Sequence, residues 1–391
     1  MRGSNSMRDF ALEVFLAKWE FHAKHHMTAS DSESLRIDEL LALGTVSERE
    51  NFEKSWLGYT ETWGAPDLRT AIANTYETMK AENILCLAGA GEGLYIIAQV
   101  LLQPDDHVIV PTPNYQSAET VPLARCAVTG VPLQYNGAEN ATEWRLDLDD
   151  LRAAIRPNTK MISLNFPHNP TGMLLGKDDL NALIALCREQ SIYILSDEVY
   201  SGITLDDTEA IPQMADIYER GISLNVLSKS YGLPGLRIGW MASQDRGLLE
   251  KLERYKHYLS ICNSAPSEHL GLIALNNRKT ILARNQAILR DNNQLLQALF
   301  DDFPNLVHYR APMGGCVAFP KFLGSEGGEI FAQNLLEKSD VLVLPSSIYA
   351  SEIGEVPQNH FRIGIGRDQA VKSGIAAMRQ HFEQYYSEFT A

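Results

Sequence analysis

Cysteine is scarce in this chain: Cys86, Cys126, Cys187, Cys262 and Cys316 are the only five among 391 residues. They are odd in number and scattered, with no metal-ligand spacing. That excludes a disulfide framework and a cysteine metal site, and predicts reduced, mostly packed thiols. No apolar run is long enough to span a membrane. The N-terminus lacks the apolar core of a signal peptide. Basic blocks are absent too, and the net charge is −15. An acidic chain without a basic stripe has nothing to follow a phosphate backbone, so nucleic acid is excluded as a partner. No internal repeat or low-complexity linker appears. His22, His25 and His26 cluster near the N-terminus, where solvated histidines are expected rather than a metal site. These absences predict a cytoplasmic globular protein with no metal. Met1-Arg2-Gly3-Ser4 looks like an expression-vector leader, with native sequence beginning at Met7.

What is present is length, 45% hydrophobic content and an alternating pattern of elements. That much apolar material supports a large core and more than one domain. Runs at His107–Val110, Met161–Asn165, Ile192–Leu195, Ser223–Leu227 and Ile238–Met241 read as strands. Leu148–Ile155 and Lys177–Gln190 read as helices between them, and Leu94–Leu102 as a helical run after a glycine-rich turn. Alternation of this kind predicts an α/β fold with helices over a mostly parallel sheet. Further helices are expected at Phe10–His22, from Pro66 through Met79, at Gly247–Tyr258 and at Lys279–Phe300. Residues 314–320 and 341–345 supply short strands. The expected division is an N-terminal segment (1–49) joining a small domain, a large domain (50–275), and the small C-terminal domain (276–391).

The most informative residue is Lys229, within Leu227-Ser228-Lys229-Ser230-Tyr231-Gly232-Leu233-Pro234-Gly235-Leu236-Arg237. It follows a strand-like run and precedes an arginine by eight positions. Its amine can form a Schiff base with an aldehyde, while the arginine and hydroxyls can hold a phosphate. That pairing points to pyridoxal 5′-phosphate. Upstream, Asn165-Phe166-Pro167-His168-Asn169-Pro170-Thr171-Gly172 and Ser196-Asp197-Glu198-Val199-Tyr200 also follow strand-like runs. In an open parallel sheet ligands bind at that edge. Gly89-Ala90-Gly91 opens a helix, and free amides at a helix N-terminus make an anion site.

Taken in order, these blocks resemble the class I/II aminotransferases of fold type I, from about Tyr59 to Arg362. The segments NFPHNPTG and LSKSYGLPGLR are also similar to the branch containing capreomycidine synthase. The resemblance implies a homodimer with shared active sites. It implies that Lys229 forms the imine that holds the cofactor and then moves a proton at the substrate α-carbon, which requires a neutral amine. It implies that Asp197 pairs with the ring nitrogen, and that Asn169 and Tyr200 donate to the phenolic oxygen. Arg237, Ser228 and the Gly89–Gly91 turn would hold the phosphate, and Tyr115 would stack on the ring. Tyr59 would reach the phosphate of a neighbouring subunit. Arg362 would clamp the substrate carboxylate, with Asn169 lining the substrate pocket; Trp63 either lines that pocket or packs in the core, and packing is the stronger expectation.

Transfer of an amino group from an L-amino acid to a 2-oxo acid is the leading expectation. Elimination, replacement or cyclisation on the same cofactor is the alternative, because only the fate of the carbanion differs. A non-catalytic ligand-sensing domain is a third, disfavoured because the residues before Tyr59 show no basic helix-turn-helix. One departure stands out. Thr28-Ala29-Ser30-Asp31-Ser32-Glu33-Ser34 has no glycine, where many aminotransferases carry a glycine-bearing loop over the substrate.

Overall fold

A computed structural model describes residues 7–136, 144–205 and 208–390. The leader-like Met1-Arg2-Gly3-Ser4 lies outside the described residues. A seven-stranded sheet forms the large layer. Its strands are β1 (Ile84–Leu87), β2 (His107–Thr112), β3 (Ala127–Pro132), β4 (Thr159–Asn165), β5 (Tyr193–Asp197), β6 (Gly221–Val226) and β7 (Gly239–Ser243). Their spatial order is β1-β7-β6-β5-β4-β2-β3. The neighbours from β6 through β3 pair in parallel, while β7 runs antiparallel to both β6 and β1. The central strands read as apolar runs because helices cover both faces and neither face meets water. Every residue of β1, β2, β6 and β7 is buried.

Several expected boundaries move. Helix α1 covers Ala11–Trp19, shorter than Phe10–His22. The helix beginning at Pro66, α2, ends at Ala73 instead of Met79. Thr75 Oγ1 donates back to Ile72 O, and the backbone amides of Glu77 and Thr78 turn to the Asp216 carboxylate. A side chain 138 residues away therefore ends that helix, which no local pattern could announce. The strand expected at Ile238–Met241 is Gly239–Ser243, and its antiparallel direction was not expected.

The second layer is built around Phe361–Gly364 (β8), flanked by Val317–Ala318 and Leu344–Pro345. Helices α4 (Arg278–Asp301) and α5 (Asp368–Tyr385) cover it. The N-terminal segment reaches this layer: His25–His26 pairs in parallel with Val341–Leu342. The five cysteines are unpaired. Among the described residues, no helix is long and apolar enough to cross a membrane, and no group of side chains could hold a metal ion.

Candidate active site

Five connections leave one edge of the sheet and converge on a cavity of about 370 Å³. β4 ends at Asn165 and leads to Asn169. β5 ends at Asp197 and leads to Tyr200. β6 leads to Ser228 and Lys229, β2 to Tyr115, and β1 to Ala90 and Gly91 at the start of α3 (Ala90–Leu101). Arg237 precedes β7, and because β7 is antiparallel its start lies on the same edge. All these residues line the cavity.

Burial sets the proton chemistry of two of them. Lys229 loses its ammonium's hydration, and its pKa falls below that of an ordinary lysine; the neighbouring charge of Asp31 opposes the fall. Its Nζ donates to Ser30 Oγ at 2.8 Å. Asp197 is pushed up to about 7 by burial, against a backbone bond from Val199 N and the nearby Lys229 charge. A carboxylate so placed is stabilised by a cationic partner. The ring nitrogen of a pyridinium would be one.

The phosphate end is also shaped for its role. Gly89 sits at φ +98°, and a Cβ there would come within 2.6 Å of Arg237 Nη2. Only glycine lets the arginine lie against the turn. Glu92 Oε2 accepts from Ala88 N at 2.6 Å, fixing the turn from its outer side. Lys256, wholly buried, donates to Thr62 O, Cys86 O and Asn263 Oδ1, each at 2.8 Å, which ties the same corner together. The residues present therefore fit pyridoxal phosphate at both its ring and its phosphate end.

Four expected residues do not line the cavity. Gly89 lies just behind it, as the cradle geometry requires. Tyr59, expected at the phosphate of a neighbouring subunit and not of its own, is 79% exposed. Trp63 packs against the core beside α3, and its carbonyl accepts from Cys86 N at 2.9 Å. Arg362 is buried behind Asn169. Its Nη1 donates to Asn169 Oδ1 at 3.1 Å and to Tyr349 Oη at 2.8 Å, and its Nη2 donates to Thr28 O at 2.6 Å. Its Nε has no partner. Tyr349 Oη also donates to Asn169 Oδ1 at 3.0 Å. With its oxygen held by Arg362 and Tyr349, Asn169 presents its amide nitrogen as the free donor.

Tyr200 differs from expectation in its present partner. Its hydroxyl donates to Ser30 O at 2.9 Å. Tyr115 meets Phe10 edge-on at 5.0 Å, with its hydroxyl 3.4 Å from Glu13 Oε1.

Sequence reasoning singled out residues 28–34 for their lack of glycine, but not the contacts they make with the groups around the cavity. Met27 O accepts from Gly364 N, Thr28 O holds Arg362, and Ser30 holds Lys229 and Tyr200. Asp31 receives both Nε and Nη2 of Arg367, at 3.0 and 2.7 Å. Ser32 N donates to Lys229 O at 3.1 Å. The segment needs no glycine because the glycines are on the surface it crosses. A Cβ on Gly364 would lie 1.8 Å from Ala29 O, and one on Gly366 would lie 2.1 Å from Asp31 O. Glu13, Tyr349 and Asn165 were likewise missed. Asn165 alone had a local signal, its place in the motif with Asn169, whose backbone it holds at 2.8 Å.

Comparison with known proteins agrees with this geometry. The family described as aminotransferase class I and II matches residues 42–378. The arginine–pyruvate transaminase of Pseudomonas aeruginosa is 31% identical over 78% of this chain and 77% of its own. The capreomycidine synthase of Streptomyces vinaceus is 26% identical over 97% of this chain and 95% of its own. Among solved structures, a PLP-dependent aminotransferase from Streptococcus suis 89-1591 superposes with a TM-score of 0.88 at 30% identity, covering 97% of this chain and 99% of that one. The chain belongs to the class I and II aminotransferase family, whose cofactor is pyridoxal 5′-phosphate.

Proposed function

We propose that this enzyme moves the amino group of an L-amino acid to a 2-oxo acid, with Lys229 as its proton carrier. The observation that supports this most directly is one cavity lined by both Lys229 and Asp197, whose ionisation burial opposes in each case. When bound, pyridoxal phosphate supplies an electron sink and an aldehyde that accepts the amino group. The chain supplies the rest. Lys229 Nζ, whose charged form burial disfavours, takes and returns a proton at the substrate α-carbon. Asp197 holds the ring nitrogen protonated. Asn169 Nδ2 and Tyr200 Oη donate to the phenolic oxygen, the latter on leaving Ser30. Ser228, Arg237 and the amides of Gly89–Gly91 bind the phosphate, and Tyr115 covers the ring. Arg362 takes the substrate carboxylate on leaving Asn169 and Thr28, with Tyr349 steadying the guanidinium.

A cytoplasmic homodimer is part of this reading. Trp56, Leu57, Tyr59, Tyr258, Leu259 and Ile261 are exposed, and Thr60 Oγ1 joins their two stretches through Asn263 O at 3.1 Å. An apolar patch of this kind beside the phosphate corner is suited to burial against a second copy.

Cofactor-loaded protein mixed with single amino acids, without oxo acid, is expected to convert its aldehyde absorbance to that of the amine form. Lys229→Ala is expected to lower the rate by about a thousandfold. Light scattering on the same sample should give twice the chain mass. An unchanged spectrum with every amino acid, or full activity without Lys229, would remove the proposal.

Cyclisation or elimination is a second reading. It is supported by the match to capreomycidine synthase, which extends over the N-terminal segment that the aminotransferase family match leaves out. Ammonia or an altered side chain in the product, instead of an oxo acid, would favour it.

A further inference from the structure

Tyr115, the proposed cover of the cofactor ring, stands between the end of β2 and a short helix, Ser117–Leu123. That helix carries Glu119, whose side chain is 1% exposed. Taking a carboxylate out of water is costly unless donors surround it. Four do. Oε1 accepts from Arg8 Nη2 at 2.7 Å and from Glu352 N at 3.0 Å. Oε2 accepts from Asn114 Nδ2 at 3.0 Å and from Ser351 Oγ. Of these four donors only Arg8 carries a charge.

The donors come from three segments, and each borders the site. Asn114 directly precedes Tyr115, and its Nδ2 also donates to Pro111 O at 3.2 Å, which closes the turn. Arg8 belongs to the N-terminal arm that leads into α1, where Phe10 meets Tyr115 edge-on. Gln116 fastens the same arm: its Nε2 donates to Asp9 O at 2.8 Å and its Oε1 accepts from Ala11 N at 2.9 Å. Ser351 and Glu352 follow Tyr349, whose hydroxyl holds Asn169 and Arg362. One carboxylate therefore joins the turn that carries Tyr115, the arm beside it and the loop leading from the carboxylate end of the site. Glu119 does not line the cavity itself, so it acts only through the residues it holds.

An apolar side chain of similar size would fill this space without burying a charge. What the charge adds is geometry, because it fixes where its partners stand. We propose that Glu119 is a positioning residue: it holds Tyr115 over the cofactor ring through Asn114, and keeps the arm and the Tyr349 loop in register with it. The inference rests on the reading of Tyr115 as the residue that covers the ring.

The test uses the cofactor-loaded protein and the visible circular dichroism of its bound pyridoxal phosphate, which reports the asymmetry of the ring's surroundings. Tyr115→Ala sets the scale of the change. Glu119→Gln keeps the shape of the side chain but turns one acceptor into a donor. Arg8 and the Glu352 amide can only donate, so the new NH2 group faces Asn114 and Ser351. The serine hydroxyl can turn to accept, whereas Asn114 would have to give up Pro111 O. Glu119→Gln is expected to lose as much of the band per bound cofactor as Tyr115→Ala does, and to raise the cofactor dissociation constant by about fivefold to tenfold. Asn114→Ala cuts the same bond from its other end and leaves Glu119 paired with Arg8. It should match Glu119→Gln, and it decides the matter even where Glu119→Gln fails to fold. The double variant should lose no more than either single one, because both changes act through one bond. Arg8→Met leaves that bond in place and should keep most of the band.

A purely structural residue would lower the melting temperature and leave the band and the dissociation constant unmoved. That result, for Glu119→Gln or for Asn114→Ala, overturns the proposal while the reading of Tyr115 stands. So does a double variant whose losses add, or an Arg8→Met that loses as much as Glu119→Gln. If Tyr115→Ala itself leaves the band unchanged, the reading of Tyr115 falls and the proposal with it.

Discussion

The two ends of the cavity are built differently. The cofactor end is assembled from turns that each follow a strand: Gly89–Gly91 after β1, Asp197 at the end of β5, Lys229 after β6 and Arg237 before β7. Each is positioned by its own strand, and the sheet aligns them all. The substrate end is assembled from segments far apart in the chain. Ser30 meets Lys229 across 199 positions, and Thr28 meets Arg362 across 334. A ligand that every member of a fold uses is served by local motifs on rigid elements, whereas a ligand that varies is served by segments free to change around them.

Breaking the cofactor end should cost most. Arg237→Leu removes the planar donor beside Gly89, and cofactor dissociation is expected to become about tenfold to a hundredfold easier. Equilibrium dialysis of the loaded protein measures this. An unchanged affinity would mean that the backbone amides of the turn carry the phosphate alone.

The second prediction concerns pH in the cofactor-free protein. Burial raises Asp197 to about 7 in the folded state, whereas the unfolded chain ionises near an ordinary aspartate value, about 3.9. The folded state therefore binds the extra proton between those values. Stability from this group is fully present below about pH 4 and is lost as pH rises toward 7, by up to about 1.4 kcal/mol per unit. Glu198, pushed up to about 8 by burial, adds a similar slope that extends higher. Asp197→Asn removes only the first. Its advantage in melting temperature over wild type is expected to grow from pH 4 to 7, and parallel curves would refute it.

The smallest effect should come from the substrate end. Ser30→Ala removes one neutral acceptor from Lys229, worth about 1 kcal/mol net. It is expected to change the rate by only a few-fold and to leave cofactor affinity unmoved. A loss as large as that of Arg237→Leu would erase the contrast between the two ends.

Residues at the cofactor end were largely legible because they come as short motifs after apolar runs. Lys229, Asp197, Tyr200, Asn169, Ser228, Arg237 and Tyr115 share the cavity that the motif order implied. Trp63 carried two readings, pocket and core, because an aromatic beside a glycine looks the same whether its ring faces the core or a ligand; in the fold it packs against the core beside α3. The end of α2 was misjudged because Asp216 terminates it from another part of the fold. The antiparallel direction of β7 was also hidden. Its strand pattern is buried on both sides and carries no sign of direction.

By itself, then, the sequence determined the alternation of strands and helices, the choice of Lys229 as the candidate for the imine, and the order of the motif residues that line the cavity. Those depend on residue type and local spacing. Tertiary structure alone decided that residues 27–33 cross the cavity on Gly364 and Gly366, that Arg362 lies behind Asn169, and that Glu13 faces Lys229. Each of these is a meeting between segments distant in the chain, and closing such long loops is set by the packing of the whole core, not by the residues that meet.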